Sequence, residues 1–92
     1  MSTASLSDQP TLADLKQSLR SLPGMSPNAV CHAYHSDRSI LIVCGPLHPE
    51  ADFDATCDEA DKLLDAAGLN NTMREFVDLH GAHLVIDAEA QE

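Results

Sequence analysis

The chain has 92 residues, enough for one domain (1–92) with a small core. It contains no Trp, one Tyr and two Phe, so the core must be built mainly from aliphatic side chains. Fifteen acidic against five basic residues give a net charge of −10, which repels phosphates and anionic lipids and attracts surfaces rich in Lys and Arg. Free nucleic acid and membranes are therefore not expected partners.

Three features of the sequence predict where in the cell the protein is located. Three cysteines at no recurrent spacing do not make a disulfide framework. The N-terminus has no basic region or long apolar run, so no signal peptide is predicted. The longest strongly apolar stretch, residues 40–44, is too short to span a bilayer. We therefore expect a cytoplasmic protein.

The first helix is predicted after residues 1–9, a small, polar and loose N-terminal segment. Thr11, followed by Asp14, has the spacing of a capping box. Pro23-Gly24 is expected to end the helix, and residues 26–28 to form a linker. The apolar residues between these signals recur at steps of three and four, on one helix face: Leu12, Leu15, Leu19 and Leu22.

A β-hairpin is predicted next. Residues 29–35 alternate between two faces, and residues 40–44 form the β-branched apolar run of a buried strand. Residues 36–39 have turn chemistry, and Gly45-Pro46 is expected to end the hairpin. One face of its first strand carries Val30, His32 and Tyr34, and the other carries Ala29, Cys31, Ala33 and His35.

The second helix is predicted from Pro49 to Ala67, because Pro is tolerated at the first helical position and Gly68 suits a left-handed cap. Residues 72–80 fit either a short helix or a strand that starts a second hairpin, with its turn at His80-Gly81. The hairpin is favoured because it completes a four-stranded antiparallel sheet covered by two helices. The expected fold is thus an α+β two-layer domain in the order α-β-β-α-β-β. The apolar stripe of the second helix comprises Phe53, Cys57, Ala60, Leu64 and Ala67.

Acidic residues are concentrated on this second helix. Residues 50–65 hold seven acids against one base, Lys62, which is a net charge of −6. Spread over about 24 Å of helix, they give one carboxylate per about 3.4 Å. That matches the phosphate spacing of one B-DNA strand, so a groove built for a polynucleotide is a fitting partner. The predicted interface comprises Glu50, Asp52, Asp54, Asp58, Glu59, Asp61 and Asp65, with Tyr34 and Arg38 as an aromatic and a basic anchor.

Two alternatives stay open. A housekeeping domain of a salt-adapted organism explains the acids by solubility alone, and a metal-linked or thiol protein would use the cysteines. Cys44 is expected to be the exposed thiol, near His48, whereas Cys57 is expected in the core. No third group completes a Cys–His pair, and the His and Cys spacing makes no zinc site. We therefore predict no catalytic residue, no metal and no cofactor.

The chain length, the acidic helix over residues 50–65 and the compact α/β layout together resemble the phage-encoded anti-CRISPR proteins that act on type I surveillance complexes, type I-F among them. The resemblance implies a non-enzymatic, stoichiometric inhibitor working in the bacterial host cytoplasm. It implies Cas subunits as partners, with their Lys/Arg-rich grooves for target DNA as the surface bound. Contact with the guide RNA of such a complex is also compatible with this class.

Overall fold

The fold is given by a computed structural model that describes residues 11–91. The elements are helix α1 (Leu12–Arg20), strands β1 (Met25–His35) and β2 (Ser39–Leu47), helix α2 (Phe53–Ala66), and strands β3 (Leu69–Asp78) and β4 (Gly81–Ala90). The four strands form one antiparallel sheet in the order β1-β2-β4-β3. The predicted α+β class and the α-β-β-α-β-β order are confirmed, while the loose segment predicted for residues 1–9 lies outside the described residues.

Helix α1 begins with the predicted capping box. The Asp14 N–H donates to Thr11 Oγ1 at 3.1 Å, and the Thr11 N–H donates back to Asp14 Oδ2 at 3.3 Å. The helix ends at Arg20, slightly before the Pro23-Gly24 stop that the sequence suggests. Leu15 and Leu19 are buried as their spacing predicts.

Both helices cover the same face of the sheet. Helix α1 lies over β1 and β2, and α2 lies along β3. Alternation along the two central strands sends every second side chain toward the helices. Five of those side chains are fully buried and form the centre of the core: Ile42, Cys44, Leu84, Ile86 and Ala88.

The first hairpin is longer than predicted at both ends. Strand β1 starts at Met25, so the linker predicted for residues 26–28 is wrong; Pro27 is tolerated because β1 is an edge strand and its register is irregular here. Strand β2 continues through Gly45-Pro46 to Leu47, which pairs with Met25. Pro46 removes no hydrogen bond to β4, because the β2–β4 ladder ends at Cys44.

Helix α2 begins later than the predicted Pro49. The Ala51 N–H donates to the His48 carbonyl at 2.9 Å and the Glu50 N–H to His48 Nδ1 at 3.2 Å, so these residues form a turn. Asp52 is the N-cap, with its carboxylate accepting from the Ala55 N–H at 3.3 Å. A capping carboxylate at Asp52 satisfies a free N–H of the first turn, which Pro49 at the helix start would not do.

The buried stripe of α2 differs in part from the predicted one. Ala60 and Leu64 are fully buried, but Cys57 is only partly buried. Thr56, which the spacing of apolar residues passes over, is buried, and its hydroxyl donates to the Asp52 carbonyl at 2.9 Å. A Cβ at Gly24 would overlap Thr56 Oγ1, so glycine is favoured where the segment between α1 and β1 meets α2. Phe53 and Ala67 are also only partly buried.

The second hairpin confirms the strand interpretation, but β3 ends at Asp78 and residues 79–80 form the turn, one residue before the predicted His80-Gly81. Gly68 has a φ of +79°, the left-handed conformation that ends α2 and starts β3. Strands β3 and β4 pair from Leu69↔Ala90 to Asp78↔Gly81, which is a longer ladder than the sequence suggested.

Replacement of Leu64 tests the packing of α2 on the sheet. Leu64 is fully buried, so Leu64→Ala is expected to lower the free energy of unfolding by about 2–5 kcal/mol, measured by urea titration. Leu79→Ala is the control, because that side chain is fully exposed in the β3–β4 turn and its loss should change stability by less than about 0.5 kcal/mol.

Candidate protein interface

The acidic surface is set by how α2 packs. Its buried residues Thr56, Ala60 and Leu64 face the core, and the opposite side of the helix faces outward. All seven acids of the predicted interface are exposed, with Asp61 and Asp65 on the flank toward β3 and Asp52 and Glu59 on the flank toward Gly24. We call this set the acidic face: Glu50, Asp52, Asp54, Asp58, Glu59, Asp61 and Asp65.

Three carboxylates of the acidic face have local hydrogen-bonding partners. Besides the Asp52 cap, Asp61 Oδ1 accepts from Asn71 Nδ2 at 2.8 Å and Asp65 Oδ1 accepts from the amide of Gln91 at 3.1 Å. Asn71 belongs to β3 and Gln91 follows β4. These bonds attach the helix to the edge of the sheet and fix which side of α2 turns toward β3.

The other four acids have no side-chain hydrogen bond to the part of the chain that the structure describes. Glu50 lies in the turn before α2 and Asp54 in its first turn, where a negative charge is favourable. Asp58 and Glu59 lie in the middle of the helix and point to opposite flanks of its outer side. They are therefore the members of the acidic face most free to meet a partner.

Within residues 11–91, no Lys or Arg forms an ion pair with the acidic face. Within residues 11–91, no Lys or Arg nitrogen lies within 4.0 Å of a carboxylate oxygen. Lys62 is the only base on α2 and is itself exposed. The remaining bases lie on other elements: Lys16 and Arg20 on α1, Arg38 in the β1–β2 turn and Arg74 on β3.

The negative charge of nearby carboxylates affects the pKa of the Cys57 thiol. Partial burial raises its pKa, and the negative charges of Asp54, Asp58 and Glu75 raise it further because they disfavour a second anion. The charges of the helix thus act together on a group that lies between α2 and β3.

The structure does not bring Tyr34 into the acidic face. Tyr34 pairs with Leu41 and points away from the helices, because its neighbour Ala33 packs against the core. It is also on β1, whereas α2 lies along β3 at the opposite edge of the sheet. Tyr34 and the acids of α2 therefore lie on different faces of the domain.

Arg38 lies nearer to the helix. It lines an open cleft of about 650 Å³ at the end of the sheet together with Leu69 and Gln91, and Gln91 is the residue whose amide binds Asp65. Arg38 therefore shares a cleft with the residue whose amide binds Asp65 near the C-terminal end of α2.

The sheet face opposite the helices was not singled out from the sequence. Three apolar or aromatic side chains on this face are at least half exposed: Val30, Tyr34 and Phe76. Leu41 and Val43, on the same face, are partly buried. The alternation of residues 29–35 gave the signal on β1, but Phe76 joins this face only through the pairing of β3 with β4.

The cysteines occupy positions different from those predicted. Cys44 is fully buried, and so is not the exposed thiol; Cys31 and Cys57 are partly exposed. Cys44 faces the core because strand β2 is central and its alternation places Cys44 on the same face as Ile42. Among residues 11–91, no three His, Cys, Asp or Glu side chains are grouped to hold a metal ion.

Comparisons with known proteins do not indicate a function, so a functional proposal depends on the geometry and the charge of this chain. No family model matches the sequence, and no curated protein or solved structure is significantly similar to it. No helix in the described part of the chain is long and apolar enough to cross a membrane.

A second polar cluster closes the β3–β4 hairpin. Asp78 Oδ1 accepts from the His80 N–H at 2.8 Å and lies 3.0 Å from His83 Nε2. The hydrogen bond from the His80 backbone, and then that from His83, hold the pKa of Asp78 below its usual 3.8. Because the folded-state pKa is depressed, the stabilisation is complete above pH 3.8 and is lost as the pH falls through the folded-state value.

An NMR titration of the side-chain carboxyl signals checks this cluster. Asp78 is expected to titrate below 3.8, and Asp78→Asn should make the free energy of unfolding less dependent on pH in the acid range, because one depressed carboxyl is gone. A titration midpoint at or above 3.8 for Asp78 would contradict the hydrogen-bonding pattern.

Proposed function

We propose that this protein is a non-enzymatic inhibitor that binds a Lys/Arg-rich protein surface through the acidic face of α2 and so excludes nucleic acid from that surface. The supporting observation is that seven exposed carboxylates lie together without a neutralising Lys or Arg within residues 11–91. A basic groove supplies the missing cations, and a partner that holds phosphates already has them.

The charge spacing of the helix itself supports this proposal. Five of the seven acids lie within the 14 residues of α2, which span about 21 Å, and Asp52 and Glu50 extend the row beyond its N-terminus. One carboxylate per about 4 Å is close to the phosphate spacing of about 3.4 Å along one strand of B-DNA. Cations spaced to hold phosphates are therefore also spaced to hold this row.

Helix stability alone does not account for the choice of residues. Asp is a weaker helix former than Glu, and like charges four positions apart, such as Asp54 and Asp58, oppose helix formation by a few tenths of a kcal/mol. Asp61 and Asp65 repeat that unfavourable spacing. Selection for a partner explains why these carboxylates are kept on one side of a helix where Glu and Lys pairs would be more stable.

The partner that we propose is a type I CRISPR surveillance complex, on the basis of the resemblance described above. Its Cas subunits must hold target DNA in grooves rich in Lys and Arg, and the acidic face would occupy those grooves in place of the DNA. Arg38, beside the C-terminal end of α2, would then contact either an acidic residue of the Cas subunit or the guide RNA. Inhibition of this kind is stoichiometric and requires no chemistry.

Charge reversal of Asp58 and Glu59 tests the proposal directly. These two acids have no hydrogen-bonding role within residues 11–91, whereas Asp52 caps α2 and Asp61 binds Asn71. Asp58→Lys with Glu59→Lys is expected to weaken binding to a purified type I complex by about tenfold to a hundredfold, because attraction becomes repulsion. The readouts are titration calorimetry and a mobility shift of the complex with its target duplex.

The matched control carries the same charge change elsewhere. Asp87 is exposed on β4 and lies on the face of the sheet opposite the helices, as its pairing with Leu41 shows. Asp87→Lys, compared with the single variant Asp58→Lys, should leave binding within about threefold of wild type, because only long-range attraction is lost. Equal losses in these two single variants would show that net charge, and not the acidic face, governs binding.

Unfolding at two salt concentrations separates the proposal from a salt-adapted housekeeping domain. An inhibitor of this kind should keep its fold in low salt and lose its partner in molar NaCl, because exposed charges are screened. A salt-adapted domain should instead lose its fold in low salt. Thermal unfolding by circular dichroism at about 10 mM and about 1 M NaCl gives the first readout, where Debye lengths are about 30 Å and 3 Å, and the binding assay at both gives the second.

A further inference from the structure

Cys31 and Cys44 face each other across the first hairpin. They are direct partners in the antiparallel pairing of β1 with β2, and both side chains lie on the helix-covered face. Directly opposed residues in such a pair have Cα atoms about 4.5–5.5 Å apart, within the range of about 4.4–6.8 Å that a disulfide spans. Both thiols are free, so the hairpin holds two reduced sulfurs at bonding register.

The two thiols have unequal access to solvent. Cys44 is fully buried, whereas Cys31 is partly exposed and lines a cleft of about 460 Å³ next to α1. The same cleft is lined by Lys16 and Arg20, two of the five bases in a chain of net charge −10. The accessible thiol therefore lies in a locally basic environment, which favours a thiolate.

The more exposed of the two thiols, Cys31, also has the lower pKa. The hydrogen bond with Cys44 lowers the pKa of Cys31, burial opposes this, and the charges of Lys16 and Arg20 lower it further. The pKa of Cys44 is raised by that hydrogen bond and by burial. The attacking thiolate is thus expected on the accessible sulfur and the proton on the buried one.

We propose that Cys31 and Cys44 form a peroxide-sensing dithiol, in which Cys31 reacts with hydrogen peroxide and Cys44 resolves the product to a cross-strand disulfide. The Cys31 thiolate attacks one peroxide oxygen, the O–O bond breaks and hydroxide leaves, which gives a sulfenic acid. Cys44 Sγ then attacks Cys31 Sγ, the S–S bond forms, and the departing hydroxyl takes the Cys44 proton as water. Two electrons pass from the sulfurs to the peroxide.

The proposal is independent of the acidic face, since the cleft is on α1 and β1 and the acids are on α2. Cys57 provides an internal reference in the same chain. It is also partly exposed, but burial and the neighbouring carboxylates raise the pKa of its thiol, so it should react much more slowly.

The test treats fully reduced protein with one equivalent of hydrogen peroxide at pH 7, followed by N-ethylmaleimide and peptide mass spectrometry. The expected product is a Cys31–Cys44 disulfide within one chain, two hydrogen atoms lighter than the reduced pair, with Cys57 alkylated. Oxidation of Cys57 ahead of Cys31, or disulfides only between chains, would overturn the proposal.

Variants assign the roles of the two sulfurs. Cys44→Ser should leave a Cys31 sulfenic acid that dimedone traps, and Cys57→Ser should react like wild type. Lys16→Gln with Arg20→Gln keeps both thiols and should slow the peroxide reaction by about threefold to tenfold, because less thiolate is present. The variant with Lys16→Gln and Arg20→Gln tests the proposal even if Cys44→Ser fails to fold. An unchanged rate of the peroxide reaction in that variant would mean that the basic cleft does not activate Cys31.

Discussion

The one-sided burial of the sheet governs the rest of this molecule. The central strands β2 and β4 send Ile42, Cys44, Leu84 and Ile86 toward the helices, and all four are fully buried. With almost no aromatic residues, the core depends on close contact between these aliphatic side chains and the small stripe of α2, Ala60 and Leu64. Any rotation of α2 that turned its acids inward would bury unpaired carboxylates, at a cost of several kcal/mol per charge.

Because of this packing, the excess of acidic residues on α2 becomes a localised negative surface. Acidic residues scattered over a sphere would give the same net charge without a binding face. Here the packing of Ala60 and Leu64 leaves only one direction for the acids of α2, and Asn71 and Gln91 hold Asp61 and Asp65 against the edge of the sheet. The carboxylate of Asp52 caps the N-terminus of α2, so an acidic residue also fixes where the helix begins. The result is a line of negative charge along a rigid support, which would lower the entropy cost of binding to a basic partner.

The few bases are distributed in the opposite way. Lys62 alone lies on α2, while Lys16 and Arg20 lie together on α1 beside the partly exposed Cys31. The two helices, which share one face of the sheet, therefore differ in local charge. This separation places two bases beside Cys31 and five acids on the other helix.

The sequence alone determined the fold class, the order of elements, the capping box at Thr11 and the location of the acidic helix, because those features depend on local periodicity and cap chemistry. Its errors lie where distant parts of the chain meet. The edge position of β1 permits strand at Pro27, and the central position of β2 buries the Cys44 thiol, which the sequence suggested was exposed. Only the tertiary structure could separate Tyr34 from the acids, since the sheet order places β1 and β3 at opposite edges and no local pattern encodes which strands become neighbours.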